Sequence, residues 1–262
     1  MSEDPILYEV RDGLAYVTLN RPDAANAFDL EFVRAFHRVM IDCDKNKAVR
    51  AVLMTGAGKM FSAGGDLKFF LQAGDKVESV LAEMTTSLHT GIAVMNRMDA
   101  PVVIAVNGMA AGGGMSLAMT GDVVFAGEGA RFTMAYTAAA LSPDGSSTWF
   151  LPRLAGFRRA KELALTNRLL SAAEAMELGI VDRVVPDGEL MAEAEKQARA
   201  FAEGPTGAYG MVKRLMIESF QNGLETQMEL ESRSIAARAA SADGREGVGA
   251  FAEKRKPNFT GK

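Results

Sequence analysis

Two short apolar runs, each running into a cluster of glycines and then a helix-like segment, constrain this chain more than any other feature. AVLMT (51–55) is followed closely by FSAGGDLK (61–68), and PVVIAV (101–106) leads directly into NGMAAGGGMSLAM (107–119). Runs of this length, apolar throughout, read as strands buried on both faces. VVFA (123–126) and RFTM (131–134) extend the series. Strands separated by helices and glycine-rich turns predict an α/β core. Ahead of them, ILYEVR (6–11) and LAYVTL (14–19) alternate with period two around Asp12-Gly13, which predicts a hairpin. After Asp29, the residues Leu30, Val33, Phe36, Met40 and Ile41 recur at helical spacing.

Residues 77–98 read as mostly helical, and after Phe157 the pattern turns helical again. Ser171 and Glu174 form a capping-box pattern before a short helix that Gly179 ends. Further helices are expected at about 189–202, 207–221 and 224–240. A length of 262 residues allows one large domain with an appendage. We therefore expect a core over residues 1–205 and a helical region over 206–262. The apolar faces of those last helices need either the core or a neighbouring subunit.

A net charge of −4 gives no bulk attraction to nucleic acid or anionic lipid. The start of the chain has no basic segment followed by an apolar run, and no stretch reaches eighteen apolar residues. A cytoplasmic protein without membrane contact is expected. Cys43 is the single cysteine, on a helical repeat where a buried, inert thiol is expected. With one cysteine and two histidines there is no zinc-ligand cluster.

The glycine segments carry the chemistry. Amides at a helix start point outward and favour negative charge, and glycine lets a ligand oxygen approach the backbone. Two such amides, from Gly65 and Gly113, could form an oxyanion hole. The competing reading is that the glycines serve only tight turns and close helix packing. Neither segment has the dinucleotide-binding glycine spacing or a phosphate-loop lysine.

The joint pattern of LNRPDAANA (19–27), FSAGGDLK, PVVIAVNGMAAGGG, ELALTNRLLSAAEAMELGIVDRVV (162–185) and GVGAFAEKRKPNF (247–259) resembles the enoyl-CoA hydratase/isomerase, or crotonase, family over nearly the whole chain. The resemblance implies a spiral of β-β-α units with a C-terminal helical region that trimerises, giving a homotrimer or a dimer of trimers. It implies an acyl-CoA thioester as the partner, with coenzyme A as part of the substrate and no separate cofactor. It places the oxyanion amides on Gly65 and Gly113. Coenzyme A would lie across Ala24, Ala25, Asn26, Ala27, Phe61, Ser62 and Ala63, with adenine near Ala63 and Asp66. Phe251 and Lys254 would reach the coenzyme of a neighbouring subunit.

The chain departs from the hydratase pattern where that pattern carries two catalytic glutamates, positions that hold Ser116 and Tyr136 here. The resemblance puts a carboxylate at Asp144 instead, as in isomerases resembling the ring-forming isomerase of phenylacetate degradation. The expected activity is therefore double-bond isomerisation of a 3-enoyl-CoA to a 2-enoyl-CoA, or a related ring isomerisation, with Asp144 shuttling the proton. Three alternatives stay open. One is a 4-chlorobenzoyl-CoA dehalogenase-like hydrolase, with Asp144 as nucleophile and His89 assisting water; that enzyme has a tryptophan at the Tyr136 position and an aromatic at Gly65. The others are a hydratase with an atypical site and a non-catalytic CoA-binding or RNA-interacting homologue. Read by composition alone, Asp144 is a turn residue in PDG and His89 a helix-surface residue.

Overall fold

The computed structural model describes residues 4–262. The chain opens with β1 (Ile6–Arg11) and β2 (Leu14–Leu19), paired antiparallel as Asp12-Gly13 dictates, and continues into α1 (Leu30–Lys45). Asp29 caps α1 by accepting the Phe32 amide at 2.9 Å. The next unit is β3 (Ala51–Gly56), β4 (Met60–Ser62), α2 (Leu67–Ala73) and α3 (Val77–Arg97). It is followed by β5 (Val102–Val106), β6 (Met109–Ala111) and α4 (Gly113–Ala118). Then come β7 (Val123–Gly127), β8 (Arg131–Thr133), α5 (Ser147–Ala155) and α6 (Phe157–Thr166). β9 (Leu170–Ser171), α7 (Ala172–Glu177) and β10 (Arg183–Val185) complete the strands, and α8 (Leu190–Ala202) closes the core.

β1 and β2 open the larger sheet, ordered β1-β2-β3-β5-β7-β10; the middle units give it their first strands and give their second strands to a smaller sheet, ordered β4-β6-β8-β9, and the last unit gives β9 to the smaller sheet and β10 to the larger. This alternation is the crotonase-like spiral of β-β-α units. β3, β5 and β7 are parallel neighbours. All five residues of β5 are buried, which explains its unbroken apolar sequence. One core, including Phe32, Phe36, Met95, Ile104 and Phe132, fills the space between the sheets and α1 and α3. A second, including Leu53, Val103, Phe125 and Ala198, lies under α8 on the other face of the larger sheet.

In the second sheet β8 is the expected RFTM strand, whereas β4, β6 and β9 escape the sequence patterns. β6 lies inside the segment expected to be only a glycine turn, and β4 overlaps the start of the other. α2 is the helix expected after the glycines of FSAGGDLK, and α5 is an addition to the expected elements. The capping box at Ser171 is formed in full, with the Ser171 amide donating to Glu174 at 2.8 Å and the Glu174 amide to Ser171 Oγ at 3.2 Å. Cys43 is buried, and burial raises its thiol pKa to about 12, so it stays protonated. No helix among the described residues is long and apolar enough to cross a membrane.

Beyond residue 205 the chain forms α9 (Thr206–Ser219), α10 (Leu224–Ala239) and α11 (Ala242–Ala252). α9 is tied to the core by a half-buried ion pair: Lys213 Nζ lies 2.7 Å from Asp122 Oδ2 and also donates to the carbonyls of Met95 and Ala100. Burial pushes the Asp122 carboxyl pKa up and the Lys213 ammonium pKa down, and each partner's charge opposes that shift. Removing the lysine leaves the carboxylate without its partner and two carbonyls without their donor, so Lys213→Met should destabilise the fold by about 2 kcal/mol. Arg233→Met, at the exposed pair with Glu229, should cost less than ~1 kcal/mol. Urea unfolding of both variants checks the contrast.

Candidate active site

The candidate site is a cavity of about 710 Å³ bounded by residues 23–28, the 63–70 segment, α3, the start of α4 and the 135–144 loop. Its walls are mainly apolar, with Phe28, Phe70, Leu81, Met84, Leu88 and Leu141 among them.

Two strips of backbone form one side. Ala63 donates to the Ala25 carbonyl at 2.9 Å, Phe28 to Gly64 at 2.7 Å, and Asp66 to Phe28 at 2.9 Å. Residues 25–28 are thereby zipped to 63–66. The pattern skips Gly65, and the Gly65 amide has no protein acceptor among the described residues. Gly113 is the first residue of α4, so its amide has no intrahelical partner either, and both glycines line the cavity. Two unsatisfied N–H groups from separate loops facing one cavity can stabilise a developing oxyanion.

Gly64 sets the spacing between those loops. Its φ is +83°, and a Cβ there would lie 2.6 Å from both the Gly113 nitrogen and the Ala111 carbonyl oxygen. The sequence reading assigned roles to Gly65 and Gly113 but missed Gly64, although the glycine pair in FSAGGDLK was the available signal. Arg21 was also missed. Its guanidinium reaches the Ala27 carbonyl, Asp29 Oδ2 at 2.8 Å and Asp66 Oδ2 at 3.2 Å. Asp66 in turn caps α2 through the Lys68 and Phe69 amides. Arg21 thus joins the two strips and the starts of two helices.

Ala24, Ala25, Ala27, Ala63 and Asp66 line the cavity as expected of the coenzyme groove. Asn26, Phe61 and Ser62 do not, because their side chains are fully buried. Asn26 donates to the carbonyls of Ala57 and Met60, and Ser62 Oγ donates to the Asn26 carbonyl. These three shape the groove from behind. Phe251 and Lys254 are exposed and do not line the cavity of their own chain.

Asp144, Tyr136, Ser116 and His89 come together at one end. Tyr136 Oη lies 2.7 Å from Asp144 Oδ1 and 2.8 Å from Ser116 Oγ. Burial, together with the nearby Asp144 charge, raises the tyrosine pKa well above its ordinary value, so Tyr136 stays protonated. Its one proton goes to the carboxylate, and the Ser116 hydroxyl has both the Tyr136 oxygen, at 2.8 Å, and the Gly112 carbonyl, at 3.2 Å, within reach as acceptors. Asp144 Oδ1 is held by this chain, whereas Oδ2 accepts no hydrogen bond among the described residues and lies 3.6 Å from His89 Nε2. The other carboxylates on the cavity wall are Asp23, at its exposed rim, and Asp66, committed to Arg21 and α2. Asp144 is therefore the one carboxylate of the cavity wall, among the described residues, that is neither tied to other groups nor at the exposed rim.

A fold of alternating β-β-α units with paired backbone amides over an apolar cleft defines a class of enzymes that act on acyl thioesters. The model for the family "Enoyl-CoA hydratase/isomerase" matches residues 9–262, and the chain belongs to that family. A probable enoyl-CoA hydratase of Rhodobacter capsulatus is 39% identical over the full length of both chains. The 1,2-epoxyphenylacetyl-CoA isomerase of Escherichia coli is 38% identical over 98% of each. A 4-chlorobenzoyl coenzyme A dehalogenase of an Arthrobacter species is 32% identical over 90% of this chain and 86% of its own. The crystal structure of an enoyl-CoA hydratase from Polaromonas superposes with a TM-score of 0.92 at 31% identity, covering 97% of this chain and 99% of that one. The protein is a crotonase-family enzyme of CoA thioesters.

If the two amides act as a pair, Gly64→Ala should separate them. Exchange of an acyl-CoA C2 proton for deuterium, followed by NMR, should then slow by about a hundredfold or more, the cost of losing one oxyanion donor. Gly223→Ala, at a position with nothing within 4 Å of the added carbon, should leave the exchange rate unchanged.

Proposed function

We propose that the protein is an acyl-CoA double-bond isomerase in which Gly65 and Gly113 hold the thioester enolate and Asp144 moves the proton. The observation that carries this reading is one uncommitted carboxylate below the rim: Asp144 lines the cavity, and the positions of the hydratase glutamates hold Ser116 and Tyr136. Hydration needs a water activated on one side and a proton delivered on the other, which the family pattern assigns to two carboxylates. Moving a double bond between the 3,4 and 2,3 positions needs one base within reach of both C2 and C4. The thioester makes the C2 proton acidic because charge flows to the carbonyl oxygen, where the amides receive it. Asp144 takes that proton through Oδ2 and returns it to C4, ending in its starting state. The apolar walls and the lack of a lysine or arginine at the Asp144 end favour an uncharged hydrocarbon acyl group, straight or cyclic.

A second reading is favoured by the contact between Asp144 and His89. That pair, with an aromatic hydroxyl on Oδ1, also suits a dehalogenase-like reaction in which Oδ2 attacks an aryl carbon and His89 activates water. The names carried by similar proteins lean toward these alternatives, hydratase most often. Ser116 and Tyr136 supply no carboxylate for ordinary hydration, and for that reason we place isomerisation first.

We also assign residues 206–262 to a trimer interface. No residue of α10 is buried, and Met216, Phe220, Leu224, Met228, Ile235 and Phe251 are exposed, an apolar surface that calls for a partner. Light scattering should find a trimer or a dimer of trimers, and a monomer at micromolar concentration would refute the assignment.

The test of the chemistry uses wild type and Asp144→Asn with a 3-enoyl-CoA, a 2-enoyl-CoA and 4-chlorobenzoyl-CoA. Wild type should migrate the double bond with little hydration and release no chloride. Asp144→Asn should lose at least about a hundredfold of the isomerisation rate. Robust hydration without migration would instead establish the hydratase alternative, and chloride release the dehalogenase one.

A further inference from the structure

His89 stands next to Asp144, yet its geometry does not suit a base. Its Nε2 accepts the backbone N–H of Gly145 at 3.1 Å. A ring nitrogen that accepts an amide proton carries none of its own, so the neutral ring has its proton on Nδ1. The same Nε2 lies 3.6 Å from Asp144 Oδ2. The lone pair that would have to activate water beside Asp144 is thus already committed to the residue that follows Asp144.

That amide belongs to an unusual turn. Gly145 and Ser146 are both left-handed, with φ of +59° and +67°, and α5 begins immediately after them. Ser146 in this conformation costs roughly 1 kcal/mol, so surrounding contacts must hold it. They come from three sides. From α5, the Ser147 amide and Oγ donate to the Asp144 carbonyl at 3.1 and 2.8 Å. From α4, Ser116 approaches so closely that a Cβ on Gly145 would lie 3.0 Å from its own Cβ. The Trp149 and Phe150 amides of α5 also donate to the Ser146 carbonyl, at 2.9 and 3.0 Å, and from α3 the turn is held by His89 through the Gly145 amide. The backbone is fixed by His89 and Ser147 and the side chain by Tyr136, which leaves Oδ2 as the one carboxylate oxygen available to a ligand.

We propose that His89 is a positioning residue in its Nδ1–H form, holding the Asp144-Gly145 turn as a hydrogen-bond acceptor and so aiming Asp144 Oδ2 at the substrate. This rests on Asp144 being the base. It also separates the two readings above, because a dehalogenase-like hydrolysis requires the same Nε2 lone pair to take a proton from water.

The experiment has two arms. The first needs no activity. The chain has only two histidines, so ¹⁵N-histidine spectra of wild type and His89→Gln assign the His89 ring by difference. At pH 7.5, Nδ1 should carry the proton and Nε2 should not. The Gly145 amide should exchange with deuterium at least about tenfold faster in His89→Ala than in wild type, the loss expected for one hydrogen bond. In His89→Gln the side-chain Oε1 replaces Nε2 as acceptor, and protection should be kept. The second arm is kinetic, on the 3-enoyl-CoA. His89→Ala should lower kcat at least about tenfold with little change in KM, as expected when a base is misplaced, and His89→Gln should restore most of that loss. A proton on Nε2 would overturn the proposal, as would a His89→Gln enzyme as impaired as His89→Ala, or unchanged Gly145 exchange in His89→Ala. Should the alanine variant fail to fold, the ring spectra and the glutamine variant still decide. An active Asp144→Asn enzyme would refute the base while leaving the His89–Gly145 hydrogen bond standing, so the two failures are distinguishable.

Discussion

The site depends on the close approach of two stretches of backbone. Residues 25–28 and 63–66 are zipped by amide hydrogen bonds, and Gly64 lies directly against the Gly113 amide. Most of what surrounds this contact serves to maintain it. The buried Asn26 ties the first strip to the carbonyls of Ala57 and Met60. Ser62 ties the second strip back to Asn26. Arg21 spans both, satisfying a carbonyl and two carboxylates that would otherwise repel each other across the strips. Within these contacts the Gly65 and Gly113 N–H groups are left without a protein acceptor among the described residues. A donor that has no partner in the resting protein has its full interaction free energy left for the transition state.

The opposite end of the cavity follows a different logic. There, side chains from four elements converge on one carboxylate, and each contact removes a degree of freedom: Tyr136 fixes one oxygen, Ser116 fixes Tyr136, and His89 and Ser147 fix the backbone. A carboxylate that must reach two carbons in turn benefits from being held rather than mobile, because misplacement by ~1 Å can cost about a hundredfold in rate. The site thus pairs a passive backbone hole with a single positioned proton carrier.

Much of this could be read from the sequence, and the parts that could not share a cause. The hairpin at Asp12-Gly13, the strand at 102–106, the capping box at Ser171 and the amphipathic α1 rest on local patterns and are found where those patterns put them. Gly65, Gly113 and Asp144 also meet in one cavity. β4 and β6 were not legible because each is a three-residue strand running into a glycine-rich turn; they exist because the second sheet pairs them. Gly64 was missed because its constraint comes from a loop some fifty residues away in the chain. Asn26, Phe61 and Ser62 sit in the expected groove segment, but burial turns their side chains away from it, and no local pattern marks that inversion. The link from Ser116 through Tyr136 to Asp144 joins residues 20 and 8 positions apart, a relation only the fold creates.

The strand order of the larger sheet has a consequence for how such a chain is made. In β1-β2-β3-β5-β7-β10 every new strand pairs with one already present, and none is inserted between earlier neighbours. A chain emerging from the ribosome can close its amino-terminal hairpin first and then extend the sheet in one direction, unit by unit, on an edge that is always native. Each addition closes a loop only as long as one β-β-α unit, so the entropic cost of parallel pairing is divided into similar small steps. Growth stops at β10, a three-residue strand too short to template another partner. The strand order thus lets the molecule be assembled in the order in which it is translated, with its last helices added after the strands.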